Sequence, residues 1–465
     1  MDGRMAIAGV LLCVLMVIPL VQSSCFPALF NFGDSTSDTG GIHAAFPNAT
    51  PAEFLPYGET YFGKAGVRYS DGRLLIDFVA TALGLKFLDP YLQSVTSNFA
   101  QGANFATAGA TVRSITYLSP FNLGVQIKQW QEFYINTINT LSVDPGNSRL
   151  PQPSYFTDGL YTIALGGNDF TFGYTKGQTP LQIRSYLPLV VTGITDAIRG
   201  IYAYAGRNFL VWDIEPQGCL PYTLTLIPHT PADLDANGCL RDYNDNSVYF
   251  NGLLQTALQD LQAELTDASI VMLSTYDLKT DFFANATANG FQFVTTACCG
   301  VPSAYNYNTQ VNCGSSGVVN GITLTAVTCP DPSVYTIWDG VHNTEAANRY
   351  IAQQIFGGKY LRPAWPKLAD NCFEFRSQLP LPSALSSFVL PFRCFQNSST
   401  SDKHTDASFL ATPRTLKRNR GADIQLRGVD DVLPVCSDHV HKQHQHALVD
   451  LREGTILSNN CWRIS

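Results

Sequence analysis

The most constraining feature of the chain is an alternation. Short apolar runs, each closed by a polar or glycine-bearing turn, take turns with longer segments of helical periodicity. Pro27 to Phe32 reads as a buried strand ending in Gly33-Asp34-Ser35, and Tyr161 to Leu165 as a second, ending in Gly166-Gly167-Asn168-Asp169. Asn208 to Ile214, stopped by Glu215-Pro216, and Ser269 to Leu273 are two more. Between them, apolar residues recur at helical spacing near Asp71 to Leu83, where Leu74, Leu75, Phe78, Val79 and Ala82 share a face. The same spacing runs over Gly124 to Thr140, Leu187 to Ala205, Val248 to Leu265 and Thr344 to Phe356. None of the strand runs shows the period-two alternation of a half-exposed sheet. Both faces must be covered, which predicts an α/β fold: a mostly parallel sheet with helices on either side. In such sheets ligands sit beyond the carboxyl ends of the strands. The segments at Ser35 and Asn168 both follow strands, so both fall on that edge.

Only 14% of the 465 residues are charged and 45% are hydrophobic, against about 25% charged in ordinary soluble domains. That composition belongs to a folded chain. A net charge of −8 with no block of five like charges excludes a nucleic-acid footprint. Residues 1–24 read as a secretory signal peptide: Arg4 precedes an apolar run from Met5 to Val21, and Val21-Gln22-Ser23 offers a cleavage site. No second run of 18 apolar residues follows, so no further membrane span is expected. Of 12 cysteines, Cys13 would leave with the leader, and an oxidising compartment makes disulfides the default for the rest. Cys219 and Cys239 would close a loop of about 20 residues, worth roughly 3 kcal/mol of chain entropy. Cys298, Cys299, Cys313 and Cys329 could supply two more bridges, with three connectivities open. Sequons for N-glycosylation stand at Asn48, Asn285 and Asn397. Residues 373–465 hold His404, His439, His441, His444 and His446 but no sustained periodicity. They read as a weakly ordered extension to a domain over 25–372, and a metal site on their His-x-His pairs is disfavoured.

The chemistry is narrowed first by absences. There is no G-x-S-x-G elbow, no H-E-x-x-H zinc helix and no Walker A loop. Gly33-Asp34-Ser35 alone is a common turn. Three further blocks give it context. Asn98 to Ala110 is a run of small residues where backbone could approach a ligand. Gly166-Gly167-Asn168-Asp169 follows a strand. Trp338-Asp339-Gly340-Val341-His342 precedes the last helix. An Asp three residues before a His, on a tight turn, can fold back onto that imidazole and hold the tautomer whose other nitrogen accepts a proton.

These blocks, in this order, resemble the GDSL esterase/lipase family of SGNH hydrolases in its secreted plant form, in particular its early-nodulin and fucosidase-named branch. The resemblance covers residues 26 to 358. It is carried by Phe26 to Ser35, Tyr69-Ser70-Asp71-Gly72-Arg73, Gly102 to Gly109, Ala297-Cys298-Cys299-Gly300 and Thr344 to Asn348. It implies a three-layer α/β/α, flavodoxin-like fold with a sheet of about five parallel strands. It also implies Ser35 as nucleophile, His342 as general base and then acid, and Asp339 as the residue that orients it. The oxyanion hole would be the N–H groups of Ser35 and Gly109 with the Asn168 amide. No metal or organic cofactor is implied, and the partner is an ester of a small molecule, lipid or polysaccharide. Three positions depart from the pattern: Thr36 where the family name puts Leu, Gly41 where many members have Asn, and Asn343 where Pro is commoner.

The expected activity is carboxylic ester hydrolysis through an acyl-serine. Two other readings stay open: a non-catalytic secreted partner that keeps the fold, and a glycosidase, which would need two carboxylates flanking a sugar bond. Asp34 and Asp169 are expected to hold turns, and His43 and His229 to be surface loop residues. The aromatic segments Tyr57 to Tyr69 and Phe170 to Tyr174 are expected to line or cover the cleft.

Overall fold

A computed structural model describes residues 26–115 and 117–364 of the chain. Each apolar run is a strand: β1 (Leu29–Gly33), β3 (Leu160–Ala164), β4 (Asn208–Trp212) and β5 (Ser269–Leu273). They are joined by short β2 (Gly102–Asn104) and β6 (Leu361–Arg362). The sheet order is β6-β5-β4-β3-β1-β2; all neighbours pair in parallel except β6, which runs antiparallel to β5.

Neighbouring residues of each strand go to opposite cores, which is why the runs are apolar throughout rather than alternating. Phe30, Phe32, Tyr161, Ile163, Phe209, Val211, Ile270 and Met272 enter one core, which also holds residues of α2 (Leu123–Val143), α4 (Leu187–Tyr202) and α5 (Arg241–Glu264). Leu29, Leu160, Ala164, Leu210, Trp212, Val271 and Leu273 enter the other, shared with α1 (Leu75–Ala82), α6 (Thr275–Ala284) and α7 (Glu345–Phe356). The result is the expected three-layer α/β/α arrangement. Rings dominate the first core: Phe30 stacks on Phe156 and Tyr161 at 5.2 and 5.0 Å, and burying one such side chain stabilises by about 1.5–3 kcal/mol.

The strand order has a consequence for the site. The chain leaves β1 for β2 on one side and then crosses to β3 on the other. Beyond the carboxyl ends of β1 and β3 the connections therefore diverge and leave a crevice, the usual ligand position in this architecture. Ser35 follows β1, and Asn168 lies in the first turn of α3 (Gly167–Thr175), directly after β3.

The helix α5 starts at Arg241, not at Val248. Its first two turns bury Tyr243, Asn244, Asn246 and Ser247, and Asn244 Oδ1 accepts the Gly218 N–H at 2.8 Å. A helix face that docks through polar bonds leaves no apolar period to read. Of the disulfides, Cys219–Cys239 forms as expected, and the other four cysteines pair as Cys298–Cys329 and Cys299–Cys313. Among the described residues no helix is long and apolar enough to cross a membrane. The expected signal peptide, the boundary at residue 372, the tail histidines and Asn397 lie outside the described residues.

Candidate active site

The turn that carries Ser35 is held from several directions. Gln126 of α2 grips Gly33 with both ends of its amide: Oε1 accepts the Gly33 N–H at 3.0 Å and Nε2 donates to the Gly33 carbonyl at 2.8 Å. Asp34 Oδ1 accepts the N–H and the hydroxyl of Thr36, at 3.0 and 2.8 Å. The Thr at position 36 thus braces the turn where the family pattern has an apolar Leu. Below it runs a buried polar ladder across three strands. Thr162 Oγ1 donates to Asn31 Oδ1 (2.7 Å), Asn31 Nδ2 to Asn104 Oδ1 (2.8 Å), and Asn104 Nδ2 to the Ser37 carbonyl (2.7 Å). Asp38 Oδ2 accepts the Ile42 and Ala108 N–H groups at 3.1 and 2.7 Å, which ties the loop after β1 to the small-residue loop before Gly109.

The second piece is the turn before α7. Asp339 folds back on His342 as its spacing predicts. Oδ1 accepts the backbone N–H groups of Gly340, Val341 and His342 at 2.8, 3.0 and 3.0 Å. The imidazole Nδ1 lies 2.9 Å from Oδ1 and 2.8 Å from Oδ2, and Oδ2 also accepts the Tyr57 phenol at 2.9 Å. Gly340 is required here by close approach: a Cβ on it would come within 2.3 Å of the Tyr307 ring. The turn is anchored from outside by Asp71, which accepts the Glu345 N–H at 2.7 Å, and by the Arg73–Glu345 ion pair at 2.6 Å.

The two pieces meet: His342 Nε2 lies 2.7 Å from Ser35 Oγ, across 307 residues of sequence. An ionised carboxylate only accepts, so Nδ1 carries the proton and Nε2 presents its lone pair to the serine hydroxyl. Burial disfavours the charged imidazole, but Asp339, then Asp34 and Glu215, outweigh it and raise the His342 pKa above its ordinary 6.5. Burial likewise pushes the Asp339 carboxyl up, and the charge of and hydrogen bonds from His342 overcome this and hold it below the usual range. Asp34 is different. Its burial wins over the Thr36 bonds and lifts it to about 6.

Ser35 and His342 open onto a cleft of about 400 Å³ that Gly109 and Asn168 also line. Gly109 adopts φ +79°, which only glycine takes without strain. Among the described residues, the N–H groups of Ser35 and Gly109 have no acceptor within the chain. The Asn168 amide is oriented by one N–H donated to the Ala110 carbonyl at 3.0 Å. Five tyrosines line the cleft (57, 69, 117, 222 and 307), and among its described lining residues none is Lys, Arg or Glu. The arrangement brings together a hydroxyl, a base that can take its proton, a carboxylate behind the base, and uncommitted N–H donors across the cleft.

Other expectations fared unequally. Asp169 holds structure, pairing with Arg113 at 2.8 Å and accepting the Val112 N–H at 2.8 Å. Tyr57 and Tyr69 line the cleft. Phe170 and Tyr174 do not: both are buried in the core, against Phe250 and Tyr243, because the helix α3 turns them inward and leaves Asn168 and Thr171 toward the cleft. His43 and His229 are both part-exposed, as expected, but each is engaged and only His229 lies in a loop. His43 sits in a short helix and meets Glu53 at 2.7 Å, and His229 bridges the Ile227 carbonyl and the Tyr305 hydroxyl. Asn48 and Asn285 are both exposed. The bracing role of Gln126, Asn31, Asn104, Asp38 and Tyr57 went unread in the sequence, although Tyr57 was expected at the cleft; polar residues embedded in apolar runs, such as Asn31 inside β1, are the signal that could have found some of them.

The chain is similar to known proteins over most of its length. The model of the GDSL-like Lipase/Acylhydrolase family matches residues 29–355. A GDSL esterase/lipase of Arabidopsis thaliana is 42% identical over 373 residues, covering 77% of this chain and 96% of its own. Alpha-L-fucosidase 3 of the same plant is 40% identical over 342 residues (72% and 91%), and the GDSL esterase/lipase ENOD8 of Medicago truncatula 40% over 361 (76% and 91%). Among solved structures, phospholipase A1 of Streptomyces albidoflavus overlaps 61% of this chain and 91% of its own at 11% identity and a TM-score of 0.27; the fold is read from the sheet order itself. With a family match over most of its length and relatives at this level of identity, the chain belongs to the GDSL-like lipase/acylhydrolase family of carboxylic ester hydrolases.

Proposed function

We propose that the protein is a secreted serine esterase in which Ser35, His342 and Asp339 form the reacting triad. The observation that carries the reading is the line of contacts from Asp339 through His342 to Ser35 Oγ, at 2.8 and 2.7 Å. Ser35 Oγ attacks the ester carbonyl carbon while His342 Nε2 takes its proton, and Asp339 balances the imidazolium. The carbonyl oxygen becomes an oxyanion that receives the N–H groups of Ser35 and Gly109 and the free amide N–H of Asn168. One such donor is worth roughly 3–4 kcal/mol in the transition state. The alkoxide leaves with the proton from His342, and an acyl-serine remains. Water, deprotonated by the same imidazole, then attacks the acyl carbon; the acyl–Oγ bond breaks, Oγ takes the proton back from His342, and the acid departs.

The cleft also bears on substrate. With no Lys or Arg among its described lining residues, it has only His342 and the oxyanion donors to meet a phosphate or free carboxylate, and an unpaired buried charge is costly. A neutral ester fits, its body against tyrosine rings. The glycosidase suggested by one relative's name would need two carboxylates about the sugar bond. Among the described lining residues Asp339 is the one carboxylate, and its oxygens are already taken up by His342, Tyr57 and backbone N–H groups. Secretion is supported by the apolar leader at residues 1–24 and by three disulfides, which suit an oxidising compartment.

A serine-directed fluorophosphonate probe tests the reading. It should label the native protein and not Ser35→Ala. Absence of labelling on native protein, under conditions that label a related esterase, would leave a non-catalytic secreted partner as the better description. Rates on acetyl, octanoyl and feruloyl esters and on a phospholipid would then place the substrate, the phospholipid being the poorest.

A further inference from the structure

We propose that Tyr57 is a positioning residue of the active site: its hydroxyl locks the Asp339 carboxylate in the orientation that aims His342 at Ser35 and shares that carboxylate's negative charge. For its effect on turnover the inference rests on the esterase reading above. Its core, a hydrogen bond that governs His342, does not.

Tyr57 stands 282 residues from Asp339 in sequence, yet its hydroxyl donates to Oδ2 at 2.9 Å. The side chain is 2% exposed. Its ring packs edge-on to Tyr69 at 5.9 Å and to Trp338 at 6.1 Å, and Tyr69 in turn lies against the His342 ring at 4.8 Å. The backbone is stitched down on both sides: Gly66 N–H donates to the Tyr57 carbonyl at 3.2 Å and Gly58 N–H to the Ser70 carbonyl at 2.9 Å. The phenol is therefore presented from a built position and does not swing in from solvent.

What it does there follows from the shell around Asp339. Three backbone N–H groups hold Oδ1. They fix that oxygen and leave Oδ2 to the imidazole. The Tyr57 hydroxyl is a second donor on Oδ2, so that oxygen too is held, and it keeps facing Nδ1 whether or not the ring is charged. The second effect is electrostatic. A hydrogen bond to a carboxylate stabilises its charged form, so part of the negative charge that would retain a proton on His342 is drawn to the phenol. The groups facing this pair are few. His342 sees Asp339, Asp34 and Glu215, the last paired with Lys279. Tyr57, Tyr69 and Tyr307 lie near Asp339. Among the described residues only Tyr57 donates a side-chain O–H to that carboxylate. Burial, then Asp339 itself, pushes the Tyr57 pKa well above its ordinary value, so the phenol keeps its proton and remains a donor across the working pH range.

The test compares native protein, Tyr57→Phe, and full-length protein carrying 3-fluorotyrosine at position 57, a near-isosteric change that makes the phenol a stronger donor. Two readouts are taken: kcat and KM against pH on p-nitrophenyl acetate, and the titration of the His342 ring by NMR of histidine-labelled protein. Tyr57→Phe should lose on the order of ten-fold in kcat, part of the roughly 10²–10⁴ that a placed acid–base group supplies, with KM unchanged. Its acid limb and ring titration should both move to higher pH. The fluorotyrosine protein should move both to lower pH. Superimposed profiles and titrations in all three proteins would overturn the proposal. So would a rise in KM with an unmoved limb, which marks a substrate contact. If the Phe variant fails to fold, the fluorotyrosine protein decides alone. If native protein neither labels nor turns over, the esterase reading has failed, and the ring titration still judges Tyr57 separately.

Discussion

Replacing Asp339 with Asn probes the triad with the least disturbance to shape. Oδ1 of Asp339 accepts three backbone N–H groups, and only the amide oxygen of Asn can take over that position. The amide nitrogen must therefore occupy the place of Oδ2, 2.8 Å from His342 Nδ1. There it donates, where the carboxylate accepted. The ring responds by carrying its proton on Nε2, and the atom 2.7 Å from Ser35 Oγ becomes a donor. A hydroxyl facing a donor keeps its proton, so the nucleophile is no longer activated. The same exchange in a Ser-His-Asp triad lowers kcat by about 10⁴, or about 5.4 kcal/mol at 1.36 kcal/mol per decade. The turn should survive, because its three N–H groups keep an acceptor. The assay is kcat on p-nitrophenyl acetate together with the rate of fluorophosphonate labelling, with Tm measured alongside. Asp339→Asn protein that keeps kcat within ten-fold of native and labels at the native rate would refute the reasoning, since His342 would then need no carboxylate to aim it.

Three further outcomes follow from the same geometry. Activity should fall on the acid side as His342 protonates, with the limb above 6.5 because its pKa is raised, chiefly by Asp339 against burial; a profile flat down to pH 5 would contradict this. Stability runs the other way. The raised His342 value stabilises the fold fully below about pH 6.5, and that contribution is lost as pH rises through the folded value. The lowered Asp339 value contributes above about pH 3.9 and is lost as pH falls through its folded value. The Tm difference between native protein and His342→Ala should accordingly shrink as pH rises past neutrality. Asn168→Ala should cost about 10²–10³ in kcat, as expected for one oxyanion donor, while KM changes little; an unchanged kcat would remove Asn168 from that role.

What was legible in the sequence is what local chemistry decides. A strand buried on both faces is mostly apolar along its length, so β1, β3, β4 and β5 could be read to within about two residues at each end, and with them the parallel sheet. Asp339 and His342 are three residues apart, so their contact is a property of one turn. The turn sequences at Ser35 and Asn168 placed them on the sheet edge where sites form. The register of the helix α5 was less legible because its first turns dock through Asn244 and not through an apolar face.

Only the tertiary structure decided the rest, because the remaining contacts join residues far apart in the chain and no local pattern encodes which distant partner arrives. The sheet order puts the ends of β1 and β3 beside each other and lets His342 reach Ser35. Packing of α3 sends Phe170 and Tyr174 into the core and leaves Asn168 at the cleft. Chain folding selected Cys298–Cys329 and Cys299–Cys313 from three pairings and carried the Tyr57 hydroxyl to the carboxylate behind the histidine. Sequence named the candidate groups; three-dimensional packing set the distances between them.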